Sequence, residues 1–159
     1  MPDLLVKLYE LQPLEAHLTR QQEAGIIVRR AIAPEKHHVL AWIRQHFREY
    51  WVSETDVAFS RSPVSCFIAV QNESMIGFGC YDVTRLGFFG PTGVSEAARG
   101  KGTGAALLLA CLHDMYARGY AYAVIGGAGP VDFYAKICGA TVIPESTPGI
   151  YRGMLRKSD

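Results

Sequence analysis

A mixed β-sheet with helices on both faces, in the α/β (α+β) class, is what this sequence predicts, and two observations carry the prediction. Cys66 to Gln71 and Met75 to Tyr81 flank Asn72-Glu73-Ser74 in a hairpin pattern, which makes neighbouring antiparallel strands. Further on, Leu86 to Val94, Ala105 to Arg118 and Ala121 to Ile125 alternate as strand, helix and strand, which demands a parallel crossover. Together they give a mostly antiparallel sheet of about six to seven strands.

The elements follow in order. Residues 3–9 read as a strand with Leu4, Val6 and Leu8 on one face, ended before Pro13. Leu14 to Ala24 reads as a short helix, and residues 1–24 as an N-terminal appendage or an oligomer contact, the one place a homodimer is suggested. Ile26 to Ala31 opens the core, expected over residues 25–159 of a single domain. Pro34 suits the first turn of a helix, and Val39, Ile43 and Phe47 recur at helical spacing behind it. Glu49 to Pro63 is a less regular, aromatic and polar piece. Leu86 to Val94 is an unusual strand, because Gly87, Gly90, Pro91 and Gly93 mark a bulge or a close backbone approach. Gly126 to Gly129 breaks the next strand, Pro130 opens a helix over Val131 to Cys138, and Thr141 to Ile143 and Ile150 to Leu155 are expected to finish the sheet.

Bulk properties exclude several classes. The formal net charge of +1 gives no electrostatic case for nucleic acid or an anionic membrane. No apolar run approaches the roughly 20 residues that cross a bilayer, and the opening residues do not read as a signal peptide, so the expected location is the cytoplasm. Cys66, Cys80, Cys111 and Cys138 form no C-x-x-C pair and fall in apolar segments, so they read as buried thiols; no metal is expected.

The chemistry concentrates in Arg99-Gly100-Lys101-Gly102-Thr103-Gly104-Ala105, between a strand and a helix. Alternating glycines let a ligand approach the amides, and the helix turns its unpaired N–H groups and positive dipole end toward the loop. That arrangement suits a phosphate or pyrophosphate. A P-loop fails, since Gly102 follows Lys101 where Ser or Thr is required and Ser95 stands at the first glycine. A dinucleotide fingerprint is weak, since Ala105 replaces the third glycine and five residues separate strand from loop. A plain glycine turn capped by Thr103 is the bland alternative. The pattern R-x-x-G-x-G/A is met in full by Arg99, Gly102 and Gly104.

With that pattern the chain resembles the GNAT superfamily of N-acetyltransferases. Asp132 to Gly139 adds a likeness to the family's F-Y-x-K-x-G segment about 30 residues on, and the strand order is similar. The resemblance covers roughly residues 26–155. It implies a GNAT-like sheet splayed at the fourth core strand, here Leu86 to Val94, and an acetyl group moved from acetyl-CoA, the co-substrate, to a primary amine of a small molecule or protein. It implies that Gly100, Lys101, Gly102, Thr103, Gly104 and Ala105 hold the pyrophosphate with Arg99. The Val94 amide would face the thioester oxygen, and Tyr134 would meet the sulfur as general acid. Two family features are missing: Gly127 stands where many members carry an asparagine, and Phe88 stands where some carry a glutamate base. Asp82 and Glu54 are the candidate bases, with ordered water as the other source. Tyr50, Trp51, Phe59, Phe88 and Phe89 are candidate walls of the acceptor pocket. A non-catalytic acyl-CoA-binding module and a transferase for a different acyl chain are the alternative readings.

Overall fold

The computed structural model describes residues 1–156. Seven strands, β1 (Leu4–Lys7), β2 (Ile26–Arg30), β3 (Cys66–Gln71), β4 (Ser74–Tyr81), β5 (Phe88–Val94), β6 (Tyr122–Ile125) and β7 (Thr141–Val142), form one sheet ordered β2-β3-β4-β5-β6-β1-β7. Every neighbouring pair is antiparallel except β5 and β6, which run parallel around the crossover helix α4 (Thr103–Ala117). The other helices are α1 (Glu15–Glu23), α2 (Lys36–His46), α3 (Glu49–Ala58) and α5 (Val131–Cys138). The stretch expected to be irregular after Glu49 thus begins with a regular helix.

Two cores sandwich the sheet. On one side α4 buries Leu108, Cys111, Leu112 and Met115 with Tyr81, Phe89 and Ile125. On the other, α2 and α3 close over Ile68 and Phe78 with Trp42, Phe47 and Trp51. The Phe47 and Trp51 rings pack at 4.9 Å, tilted by 36°, and Phe47 lies 5.9 Å from Phe78. Gly93 belongs to this packing: a Cβ there would meet the Phe47 ring at 2.4 Å, so its missing side chain admits the ring onto β5. All four cysteines are buried free thiols, with Cys66 directly opposite Cys80 across the hairpin.

Two expectations change at the termini. The opening segment is not an appendage: β1 lies between β6 and β7, and Leu4 and Val6 are fully buried. Alternation of apolar residues drives it there, since Leu4, Val6 and Leu8 all reach the α4-side core. The expected last strand at Ile150 to Leu155 is a tight turn, Gly149–Tyr151, followed by non-sheet chain. Gly149 at φ +60° and Gly153 at φ +75° bend that chain, and β1 already occupies the place between β6 and β7.

Candidate active site

The loop after β5 turns sharply into α4. Gly100 and Gly102 adopt φ +87° and +79°, a left-handed conformation that side chains resist. Gly102 is the N-cap of α4 and supplies no side-chain cap, so the first-turn amides of Thr103, Gly104 and Ala105 have no helical partner. They border a cavity of about 300 Å³ lined by Val94, Arg99, Gly102, Gly104, Ala105 and Phe133. Gly104 has ordinary helical geometry, and a Cβ there would touch nothing closer than Val94 at 3.8 Å and Phe133 at 4.0 Å. Its missing side chain therefore relieves no strain; it leaves cavity space free for a ligand.

Thr103 does not cap the helix. Its hydroxyl donates to Gln21 Oε1 at 2.7 Å, and Gln21 Nε2 donates to the Lys101 carbonyl at 2.8 Å. Gln21 is 1% exposed on α1, so both ends of its amide are spent holding the loop against α4. The Arg99 guanidinium folds back, with Nε donating to the Val94 carbonyl at 3.2 Å.

Beside the loop the sheet opens. β5 stays with β4 as far as Val94, but it pairs with β6 only at Phe88 and Phe89, opposite Val124 and Ile125. Beyond that point β6 gives way to the turn at Gly126 and Gly127, and the edge of β5 over Thr92 to Val94 faces the gap. Ser95 donates to Ile76, and antiparallel bonding alternates, so the Val94–Gly77 pair exchanges no hydrogen bonds. The Val94 N–H therefore points away from β4, into the opening.

Tyr134 comes from the first turns of α5. It is 6% exposed, its ring sits 6.4 Å from Phe89 and 5.2 Å from Phe133, and burial raises its hydroxyl to about pKa 12. Phe133 is half-buried and forms a wall of the loop cavity. α5 thus joins the cavity to Tyr134 by two successive rings.

The profile of the acetyltransferase (GNAT) family matches residues 15–140. The chain belongs to that family.

Solved GNAT structures share the fold. A GCN5-related glucosamine N-acetyltransferase region of a fungal multi-domain GH3 β-N-acetylglucosaminidase superposes with a TM-score of 0.74 at 16% identity, covering 89% of this chain and 19% of that one. A GCN5-related N-acetyltransferase from Sphaerobacter thermophilus gives 0.66 at 20% identity, covering 89% and 48%. One from Kribbella flavida gives 0.60 at 16% identity, covering 89% and 53%. The chain thus spans between a fifth and about half of these longer proteins. No curated protein sequence matches it.

Within this GNAT domain the two candidate bases have different surroundings. Both Asp82 oxygens are committed: Oδ1 accepts from the Gly87 N–H at 2.7 Å and Oδ2 from the Tyr120 hydroxyl at 2.9 Å. Asp82 itself turns at φ +56°, so it pins the loop from β4 to β5. Glu54 on α3 accepts one hydrogen bond from the Thr84 hydroxyl, and burial raises its carboxyl above the usual range. Of the candidate aromatic walls, Trp51, Phe59 and Phe89 pack in the cores, whereas Phe88 packs on Gly126 and Tyr50 is exposed on α3.

Three contributors were not foreseen. Gln21 was one polar residue in a short helix with no local signal. Asp3 is 7% exposed and accepts from the Gly127 N–H at 2.8 Å, fixing the turn where the family's asparagine would stand. Tyr151 lays its hydroxyl 2.7 Å from where a Gly126 Cβ would be, which explains Gly126 and closes the end of β6. Asp3 and Tyr151 both lie outside the family match. Among the described residues no group of His, Cys, Asp and Glu is placed to hold a metal, and no helix is long and apolar enough to cross a membrane.

Proposed function

We propose that this GNAT domain is an N-acetyltransferase that takes the acetyl group of acetyl-CoA and passes it to a primary amine. The observation that carries the reading is the cavity at the head of α4: three unpaired amides, an arginine and a side-chain-free Gly104 make an anion cradle continuous with the opening of the sheet. Acetyl-CoA supplies an activated thioester, and its pyrophosphate fits the charge of that cradle.

The residues then have distinct tasks. The first-turn amides, with Arg99 and Lys101, hold the anion. The Val94 N–H faces the opening where the thioester oxygen gathers negative charge, and a donor of that kind is worth about 3 kcal/mol of barrier. Tyr134, a phenol protonated at neutral pH and held still more firmly so by burial, donates to the departing sulfur. Glu54 takes the proton the nitrogen must lose. In sum an N–H and a C–S bond break, and an N–C and an S–H bond form. The acceptor enters from the α3 side, between Glu54, Phe88 and the Tyr151 turn.

Release of free thiol from acetyl-CoA, followed across alkylamines, arylethylamines, glucosamine and a lysine peptide, tests this. Amine-dependent release with formation of the N-acetyl product is expected. Binding of acetyl-CoA with no amine raising release would leave the non-catalytic acyl-CoA module as the better reading, and faster turnover of a longer acyl-CoA would favour the other.

Two further outcomes are expected. Glu54→Gln should lower kcat/KM about tenfold or more and remove the acidic limb of its pH profile. That limb should lie above the ordinary carboxylate range, because burial raises Glu54 and a base acts only when ionised. An unchanged limb in the variant would transfer the role to water. Gln21→Leu strands the Lys101 carbonyl and the Thr103 hydroxyl, so it should cost about 1–3 kcal/mol of stability. It should also weaken acetyl-CoA binding, which calorimetry reads directly.

A further inference from the structure

The loop is closed on one side by α1, and that side carries a charge with no structural task. Gln21 lies beneath the loop and makes the two bonds that hold it. Its neighbour Arg20 is exposed and comes round the outside of the same turn. The Arg20 Cζ and Nη1 atoms stand 3.9 and 4.0 Å from where a Cβ on Gly102 would be, and Gly102 lines the cavity. Arg20 therefore stands beside Gly102, just outside the residues that line the cavity. Among the described residues it enters no ion pair, unlike Arg29, Arg30, Arg44 and Arg118. Arg99, on the other side, has already given its Nε to Val94.

We propose that Arg20 is an anion-binding residue of the acetyl-CoA site, pairing with a phosphate at the nucleotide end of the ligand. The proposal rests on the reading that the cavity holds acetyl-CoA. A guanidinium offers five donors in a planar fork that fits phosphate oxygens, and its charge is permanent. Gly102 is left-handed, and a Cβ there would lie at ordinary contact distance from Gln21 and Arg20, so α1 packs directly against this turn. The helix thus serves the site twice: Gln21 shapes the loop and Arg20 adds charge beside it. Two phosphates of the ligand could meet that charge, the pyrophosphate and the 3′-phosphate of the ribose.

Calorimetric titration of acetyl-CoA and of its 3′-dephospho form into wild type, Arg20→Ala and Arg20→Lys, at low and high salt, tests the assignment. Arg20→Ala should weaken acetyl-CoA about fivefold at low salt, with the difference shrinking as salt rises, and Arg20→Lys should recover most of the loss. A loss that vanishes with the dephospho form assigns the partner as the 3′-phosphate; one that persists assigns the pyrophosphate. Equal affinities of wild type and Arg20→Ala for acetyl-CoA would overturn the proposal while leaving the cavity reading intact. If wild type itself fails to bind acetyl-CoA, the cavity reading falls and this assignment with it.

Discussion

Replacing Tyr134 by Phe is expected to lower kcat by about 10²- to 10⁴-fold while leaving acetyl-CoA affinity nearly unchanged. The asymmetry follows from the surroundings of the ring. Tyr134 is packed between Phe89 and Phe133, and a phenylalanine keeps both contacts. The hydroxyl is raised by burial and by the neighbouring Cys138 thiol, with no hydrogen bond contributing, so the fold loses little when it goes. What is lost, on the proposed mechanism, is the proton donor to the departing sulfur. The basic limb of the wild-type pH profile should sit high, toward the region of 12, because the phenol acts only while it holds its proton. A variant with wild-type kcat would remove the acid role from Tyr134.

Replacing Gly104 by Leu is expected to separate stability from binding. Gly104 is a helical residue without positive φ, so a side chain there adds no backbone strain, and helix propensity favours the change by about 1 kcal/mol. Thermal stability should stay level or rise. The new side chain enters the space between Val94 and Phe133, and acetyl-CoA affinity should fall about 100-fold, which corresponds to roughly 2.7 kcal/mol. Gly102→Leu would not make this separation, because a side chain at φ +79° would strain the turn itself. Undiminished affinity in a stable Gly104→Leu protein would place the ligand elsewhere.

The parts of this account that were legible in the sequence are local ones. The loop could be read because glycine spacing, the preceding strand and the following helix lie within one short stretch, and the family likeness starts from the same residues and is joined by the Asp132 to Gly139 segment. The hairpin could be read because its turn and its alternation adjoin. The place of β1 could not: its partners at Tyr122–Ile125 are more than a hundred residues away, and no pattern in Leu4 to Lys7 names them. Gln21 was hidden for the same reason, since its partners lie 80 and 82 residues away. The terminal strand was misjudged because Ile150 to Leu155 has a fair apolar pattern, whereas the sheet position it would need is filled by β1. Gly93, which in the sequence marks only a bulge or a close approach, proves to be a seat for Phe47, a packing demand visible only once α2 lies on the sheet.

The central claim is that one ligand spans the loop and the opening of the sheet, and amide-resolved NMR titration with acetyl-CoA tests it most directly. The predicted result is that the amides of Val94 and of Gly102 to Ala105 shift together and saturate at one concentration, followed by those around Tyr134. Shifts confined instead to the groove of about 810 Å³ beneath α2, around Val39, Trp42, Ile68 and Met75, with Val94 and the loop unmoved, would contradict it.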